Sequence, residues 1–177
     1  MIGRRKLLGG ALALGGLGLL PQSALAALPE RRLAFRNVHN NERIDARYFG
    51  MGGFDAEGLA EINHGLRDWR TGEIERMDPD LLDLLVSVRD RLGVAPRRPF
   101  DLISGYRSPR TNAALHARSG KVASRSQHIR ARATDVALPG ISLDRLRSAA
   151  LSAKRGGVGY YPRDGFVHLD TGPVRTW

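Results

Sequence analysis

At 177 residues the chain is long enough for one ordinary domain with a real core. Its formal net charge of +10 suits an anionic partner, and the absence of cysteine excludes disulfides, thiolate metal ligands and thiol nucleophiles in one step. Any metal must therefore be held by histidine and carboxylate.

The first predicted element is an export signal. Arg4-Arg5-Lys6 is followed by an uncharged stretch from Leu7 to Leu28, rich in glycine and interrupted by Pro21, and Ala24-Leu25-Ala26 has the small-x-small form of a cleavage site. This pattern predicts a twin-arginine (Tat) signal over residues 1–26 and a mature single domain over residues 27–177. An uncleaved membrane anchor is the competing reading, against which Pro21, the glycines and the cleavage site all weigh. The charges of Arg4, Arg5 and Lys6 leave with the signal, so the formal net charge falls from +10 to +7. Export argues against nucleic acid and leaves the cell wall and membrane surface as settings for a basic protein. Scattered arginines that merely solubilise the surface are the plainer account.

Residues 30–50 alternate apolar and polar on either side of Asn40-Asn41, which predicts a hairpin. From Asp55 the period changes: Leu59, Ile62, Leu66 and Trp69 predict a helix that Gly72 ends. Asp78-Pro79 opens a second helix whose inner face is Leu81, Leu84, Leu85, Val88 and Leu92, with Gly93 as its stop. Phe100 to Ser104 reads as a short strand, and Ser108-Pro109 caps a third helix to about Arg118. Ala133 to Leu138 reads as the next strand, ended by Pro139-Gly140. Ser142 caps a fourth helix that runs toward Gly156-Gly157, and two final strands flank the Asp164-Gly165 turn. Together these predict an α+β domain, with helices packed on a small antiparallel sheet.

One residue of that pattern is anomalous. Asp135 lies in the middle of a strand that otherwise reads as buried, where an ionised carboxylate is costly unless paired or bound to a cation. His168 occupies the same kind of position between Phe166 and Asp170, and His128 precedes the first strand in a loop rich in Ser and Arg. Two imidazoles and one carboxylate suit Zn2+ and leave the fourth tetrahedral position open. Spacing alone equally allows an exposed His128, an Asp135 paired with an arginine and a satisfied, half-buried His168. His39, His64 and His116 have no such context and read as surface or packing residues.

Several segments taken together resemble a known family. They are Ile103-Ser104-Gly105-Tyr106-Arg107-Ser108, Thr111-Asn112, Ser126-Gln127-His128 with Asp135 seven residues on, and the run from Gly156 through His168 to Trp177. They are similar to the periplasmic murein endopeptidases of the MepK type, within the zinc peptidases that include the D-Ala-D-Ala dipeptidase VanX and the hedgehog signalling domain. The resemblance implies one Zn2+ per chain held by His128, Asp135 and His168. It further implies that Arg107 steadies the substrate carbonyl oxygen or oxyanion, and that Ser126, Gln127 and Tyr106 line the substrate site. The ligand it implies is a peptidoglycan peptide stem; export argues against nucleic acid and signal cleavage against stable membrane insertion, while the oligomeric state is left open, with a monomer as the default expectation.

Two departures accompany it. Ala131 stands where relatives usually carry glycine, and Gly165 and Phe166 stand where the wider group supplies a Glu or His base. Asp170 is then the best substitute base, or else the hydrogen-bond partner of a ligand's second nitrogen; Asp164 is explained as turn chemistry. The implied activity is cross-link hydrolysis. A D-alanyl-D-alanine or other stem-peptide carboxypeptidase, and a non-catalytic wall-binding domain with structural zinc, are the alternatives.

Overall fold

A computed structural model describes residues 30–119 and 122–177; the predicted signal and its cleavage site lie outside the described residues. The chain opens with the expected hairpin. Strand β1 (Arg31–Asn37) pairs antiparallel with β2 (Arg43–Gly50), with Phe35 opposite Ile44. Asn41 takes a left-handed φ of 59° in the turn, a conformation asparagine tolerates better than most residues, and the Asn37 and Asn40 side-chain oxygens accept from His39 N and Glu42 N. A two-residue strand, β3 (Gly53–Phe54), extends β2 at its outer edge.

Helix α1 (Ala56–Gly65) starts where expected, because the Asp55 carboxylate accepts from Glu57 N and Gly58 N. It stops short of the expected end at Gly72. The Leu66 carbonyl is taken by Tyr106 N at 2.8 Å, and the buried Asp68 carboxylate accepts from Arg70 N and Ser108 N, both at 3.0 Å. These bonds divert the chain into a turn tied to the loop after β4. Trp69, expected on the helix, instead stacks on His39 with ring centroids 4.2 Å apart.

Helix α2 (Pro79–Arg91) follows the sequence closely: Asp78 caps it, proline sits in its first turn, and Leu81, Leu84, Leu85 and Val88 are fully buried. After it come β4 (Phe100–Ser104), α3 (Pro109–Ser119), a short 3-10 turn (Gln127–Arg130) and β5 (Ala133–Ala137). The chain then forms α4 (Leu143–Ser152), β6 (Gly157–Tyr161), β7 (Phe166–Asp170) and β8 (Arg175–Thr176). Helix α4 ends earlier than Gly156, where Lys154 turns left-handed at φ 52°.

The α+β class is as expected, but the sheet is larger and mixed. Its eight strands run β3-β2-β1-β4-β5-β7-β6-β8, with β1·β4 and β6·β8 parallel and the other pairs antiparallel. Strand alternation divides the central strands between two faces. Val136, Val167, Leu169 and Val158 join the core with Leu81, Leu84, Leu85 and Leu146, while Asp135, His168 and Gly159 take the opposite face.

Contact between α1 and β2 generates a stability prediction. A Cβ on Gly58 would sit 1.7 Å from the Arg47 carbonyl oxygen, whereas one on Gly52 would meet nothing within 4 Å. Gly58→Ala should cost about 3 kcal/mol or more in urea unfolding, and Gly52→Ala less than about 0.5 kcal/mol. Equal effects would contradict this packing.

Candidate metal centre

In the register of the central strands, Gly159 pairs with His168 and His168 with Asp135, so the three stand in one row on the face away from the core. Directly opposite residues of an antiparallel pair share a face and bring their side chains close. His128 reaches the row from the 3-10 turn. Ser126 caps that turn by accepting from His128 N, and Ala131 closes it at φ 53° while donating to the His128 carbonyl. A left-handed alanine costs about 1–2 kcal/mol. It is held there because Asp78 N donates to its carbonyl at 3.0 Å, which pins the turn to the start of α2.

Three ligand atoms converge as a result. His128 Nε2 lies 3.2 Å from Asp135 Oδ1 and 3.2 Å from His168 Nδ1, and His168 Nδ1 lies 2.8 Å from Asp135 Oδ1. Zinc bonds of about 2.0–2.2 Å give tetrahedral edges of about 3.3 Å, close to this triangle. All three residues are buried, and among the described residues they form the one such group of His, Asp or Glu.

The outer atom of each ligand is already occupied. His128 Nδ1 donates to the Gly105 carbonyl at 2.7 Å, so its Nε2 keeps a lone pair. His168 Nε2 donates to Asp170 Oδ2 at 2.8 Å, which frees Nδ1 in the same way. Asp135 Oδ2 accepts from Arg107 Nη2, leaving Oδ1. Three acceptors turned on one point fit a cation, and the nitrogen and oxygen donors fit zinc.

Ionisation follows from the same contacts. Burial opposes charge on Asp135 and Asp170, but the adjoining histidines, with Arg175 and Gly172 N at Asp170, hold both carboxyls well below the ordinary range. Burial pushes His128 down. His168 is also desolvated, yet the Asp135 and Asp170 carboxylates outweigh that effect and raise it.

The ligands face a cleft of about 650 Å³, which Arg107, Ser126 and Gln127 also line. Arg107 is fixed by Ser104 Oγ at 2.9 Å and by Asp135; among the described residues its Nη1 has no partner, and Gln127 Oε1 is buried without a hydrogen bond. Tyr106 lies apart from these: it is 8% exposed and packs with the core, while its backbone N donates to the Leu66 carbonyl, and it is not among the residues that line this cleft. Asp170 is fully buried. Besides His168 it accepts from Arg175 Nη1 and Nη2 (3.1 and 2.7 Å), Gly157 N and Gly172 N, an arrangement that holds a ligand rather than fronting the cleft.

Sequence reasoning assigned no site role to Arg175, Trp177, Tyr161 or Phe166. Trp177 packs over Gly159, where a Cβ would come within 2.7 Å of its ring, and its Nε1 donates to Tyr161 Oη at 2.7 Å. Tyr161 stacks on Phe166 at 4.6 Å, which completes an aromatic wall. The alternation Gly157-x-Gly159 was the available signal for a ring and a guanidinium lying flat on that face.

Residues 24–177 match the family model described as peptidoglycan L,D-endopeptidase MepK. The chain is 48% identical over 178 residues to the peptidoglycan L,D-endopeptidase MepK of Escherichia coli (strain K12), covering 98% of this chain and 96% of that relative. It is 40% identical over 171 residues to the probable peptidoglycan L,D-endopeptidase MepK of Haemophilus influenzae, covering 95% and 91%. No solved structure matches the chain.

Two outcomes follow from the occupied outer atoms. In competition with a chelator, His168→Ala should abolish stoichiometric zinc binding and Asp170→Asn should weaken it about 10–100-fold; wild-type affinity in Asp170→Asn would contradict the role of that bond. Because the folded pKa of Asp170 is depressed, its stabilisation is complete above about pH 4 and lost as pH falls further. Metal-free Asp170→Asn should accordingly show a shallower loss of stability below pH 4 than the metal-free wild type, read by unfolding at a series of pH values.

Proposed function

The chain belongs to the peptidoglycan L,D-endopeptidase MepK family, and from that membership and the converging ligand triangle we propose that it is a zinc-dependent hydrolase of peptide cross-links in peptidoglycan. The observation that carries the reading is the set of three lone pairs, 2.8–3.2 Å apart, at the floor of an open cleft. One Zn2+ per chain on His128, Asp135 and His168 would supply a Lewis acid for the scissile carbonyl and an acidified water at the open position.

The remaining tasks fall to the protein's own groups. Arg107 is oriented by Ser104 and Asp135, and its Nη1, without a partner among the described residues, would hold the carbonyl oxygen as negative charge develops. Ser126 and Gln127 form the wall beside His128, with Ser126 holding the turn that carries it. Asp170 acts by fixing His168 in one tautomer and orientation, and the role of general base expected for it gives way to that one. The substrate bond, by analogy with the family, joins two diaminopimelate residues or D-alanine to diaminopimelate. Stem peptides carry carboxylates, which suits a basic surface.

Location follows the same reading. We take residues 1–26 as a cleaved Tat signal, residues 27–177 as a single periplasmic domain, and the active form as a monomer. Among the described residues no helix is long and apolar enough to cross a membrane.

Incubation with intact murein sacculi tests the proposal. Cross-linked muropeptides should fall with a matching rise in monomers, chelator should stop the reaction and zinc restore it. Mass-resolved digests separate this from trimming of stem ends, the carboxypeptidase outcome. Arg107→Gln should lower kcat/KM about 10²–10³-fold while zinc stays at one per chain. Unchanged muropeptides at full zinc occupancy would favour the non-catalytic reading.

A further inference from the structure

Charged groups in the cleft divide into two kinds. Arg107 and Arg175 are engaged by Asp135 and Asp170. Arg125 and Asp164 are not. Both line the cleft and are exposed, and the side chain of neither makes a hydrogen bond or ion pair among the described residues, with each other or with anything else. Arg125 belongs to the loop ahead of the metal-ligand turn and Asp164 to the β6–β7 turn, so they approach the cleft from separate parts of the chain.

Opposite charges that share one hollow without neutralising each other complement a ligand carrying both. A bare carboxylate drawn to Arg125 would meet an unneutralised Asp164 on the same cleft. A bare ammonium would meet the converse penalty from Arg125. The surface that Tyr161, Phe166, Val122 and Ala123 add to the cleft is apolar or aromatic and suits methylene groups.

Resting on the peptidoglycan reading for the kind of ligand, we propose that Arg125 and Asp164 form a subsite for a zwitterionic amino-acid centre. This centre carries an α-carboxylate and an α-ammonium on one carbon, at the end of an aliphatic side chain of the substrate. Arg125 donates to the carboxylate, Asp164 accepts from the ammonium, and the Tyr161–Phe166 stack takes the methylenes. The subsite thereby selects a diamino diacid over a residue with a plain alkyl or singly charged side chain.

Calorimetric binding to the zinc-loaded chain tests this without requiring turnover. Three probes serve: an un-cross-linked stem tripeptide ending in diaminopimelate, the same peptide with the side-chain carboxylate amidated, and the same peptide with the side-chain amine acetylated. Wild type should bind the unmodified probe best, each modification weakening it about fivefold or more, as expected for a solvent-accessible charge-assisted contact. Arg125→Gln should become indifferent to amidation but still sense acetylation, and Asp164→Asn the reverse. Equal binding of all three probes by wild type, no binding of any, or unchanged discrimination in the variants overturns the subsite. The expected pattern in a protein that leaves cross-links intact would instead retain the subsite and overturn the peptidase reading.

Discussion

The pairing of Asp135 with His168 across β5 and β7 is the constraint on which the rest of the centre depends. Register here is set from the other side of the sheet, where Val136, Val167 and Leu169 enter the core. A slip of one residue would turn those apolar side chains out and the two ligands in. Hydrophobic burial therefore brings the candidate ligands Asp135 and His168 together without help from an ion. The third ligand arrives by a different route, through a 3-10 turn closed by a left-handed alanine and pinned to the start of α2.

Burying two carboxylates beside two imidazoles is tolerable because every outer atom is satisfied. Arg107 balances Asp135 and Arg175 balances Asp170, so the cluster is close to neutral before an ion is added. The Asp170 carboxylate also fixes the tautomer of His168, and the Gly105 carbonyl fixes that of His128. Gly105 can lie so close only because it lacks a side chain: a Cβ there would meet the Leu66 carbonyl oxygen at 2.4 Å. The early end of α1, the position of Gly105 and the orientation of His128 thus form one connected arrangement.

Much of this was legible in the sequence where a residue broke its local pattern or a cap announced an element. Asp135 stood out as a charge in a buried strand, alternation put His168 on the matching face, and Asp78-Pro79 with Gly93 bounded α2 closely. Spacing placed His128 in a loop close enough to fold back over Asp135 but left an exposed position equally open; the family resemblance favoured convergence on the pair. The first helix read too long because Leu66 and Trp69 keep helical spacing, whereas its end is decided by tertiary bonds from Tyr106 and Asp68. Tyr106 packs into the core while Arg107 faces the cleft, since adjacent residues of an extended loop point different ways. The site roles of Arg175 and Trp177 are hidden because β8 is two residues long and pairs in parallel with β6, skipping the strand that precedes it.

The central claim is that these side chains make one tetrahedral site with a vacant corner. X-ray absorption at the zinc edge of the loaded protein tests it most directly. The account predicts two imidazole nitrogens and one carboxylate oxygen, with a single exchangeable light scatterer completing the shell, at about 2.0–2.2 Å. A shell containing a third protein imidazole, or one lacking either histidine, would contradict it.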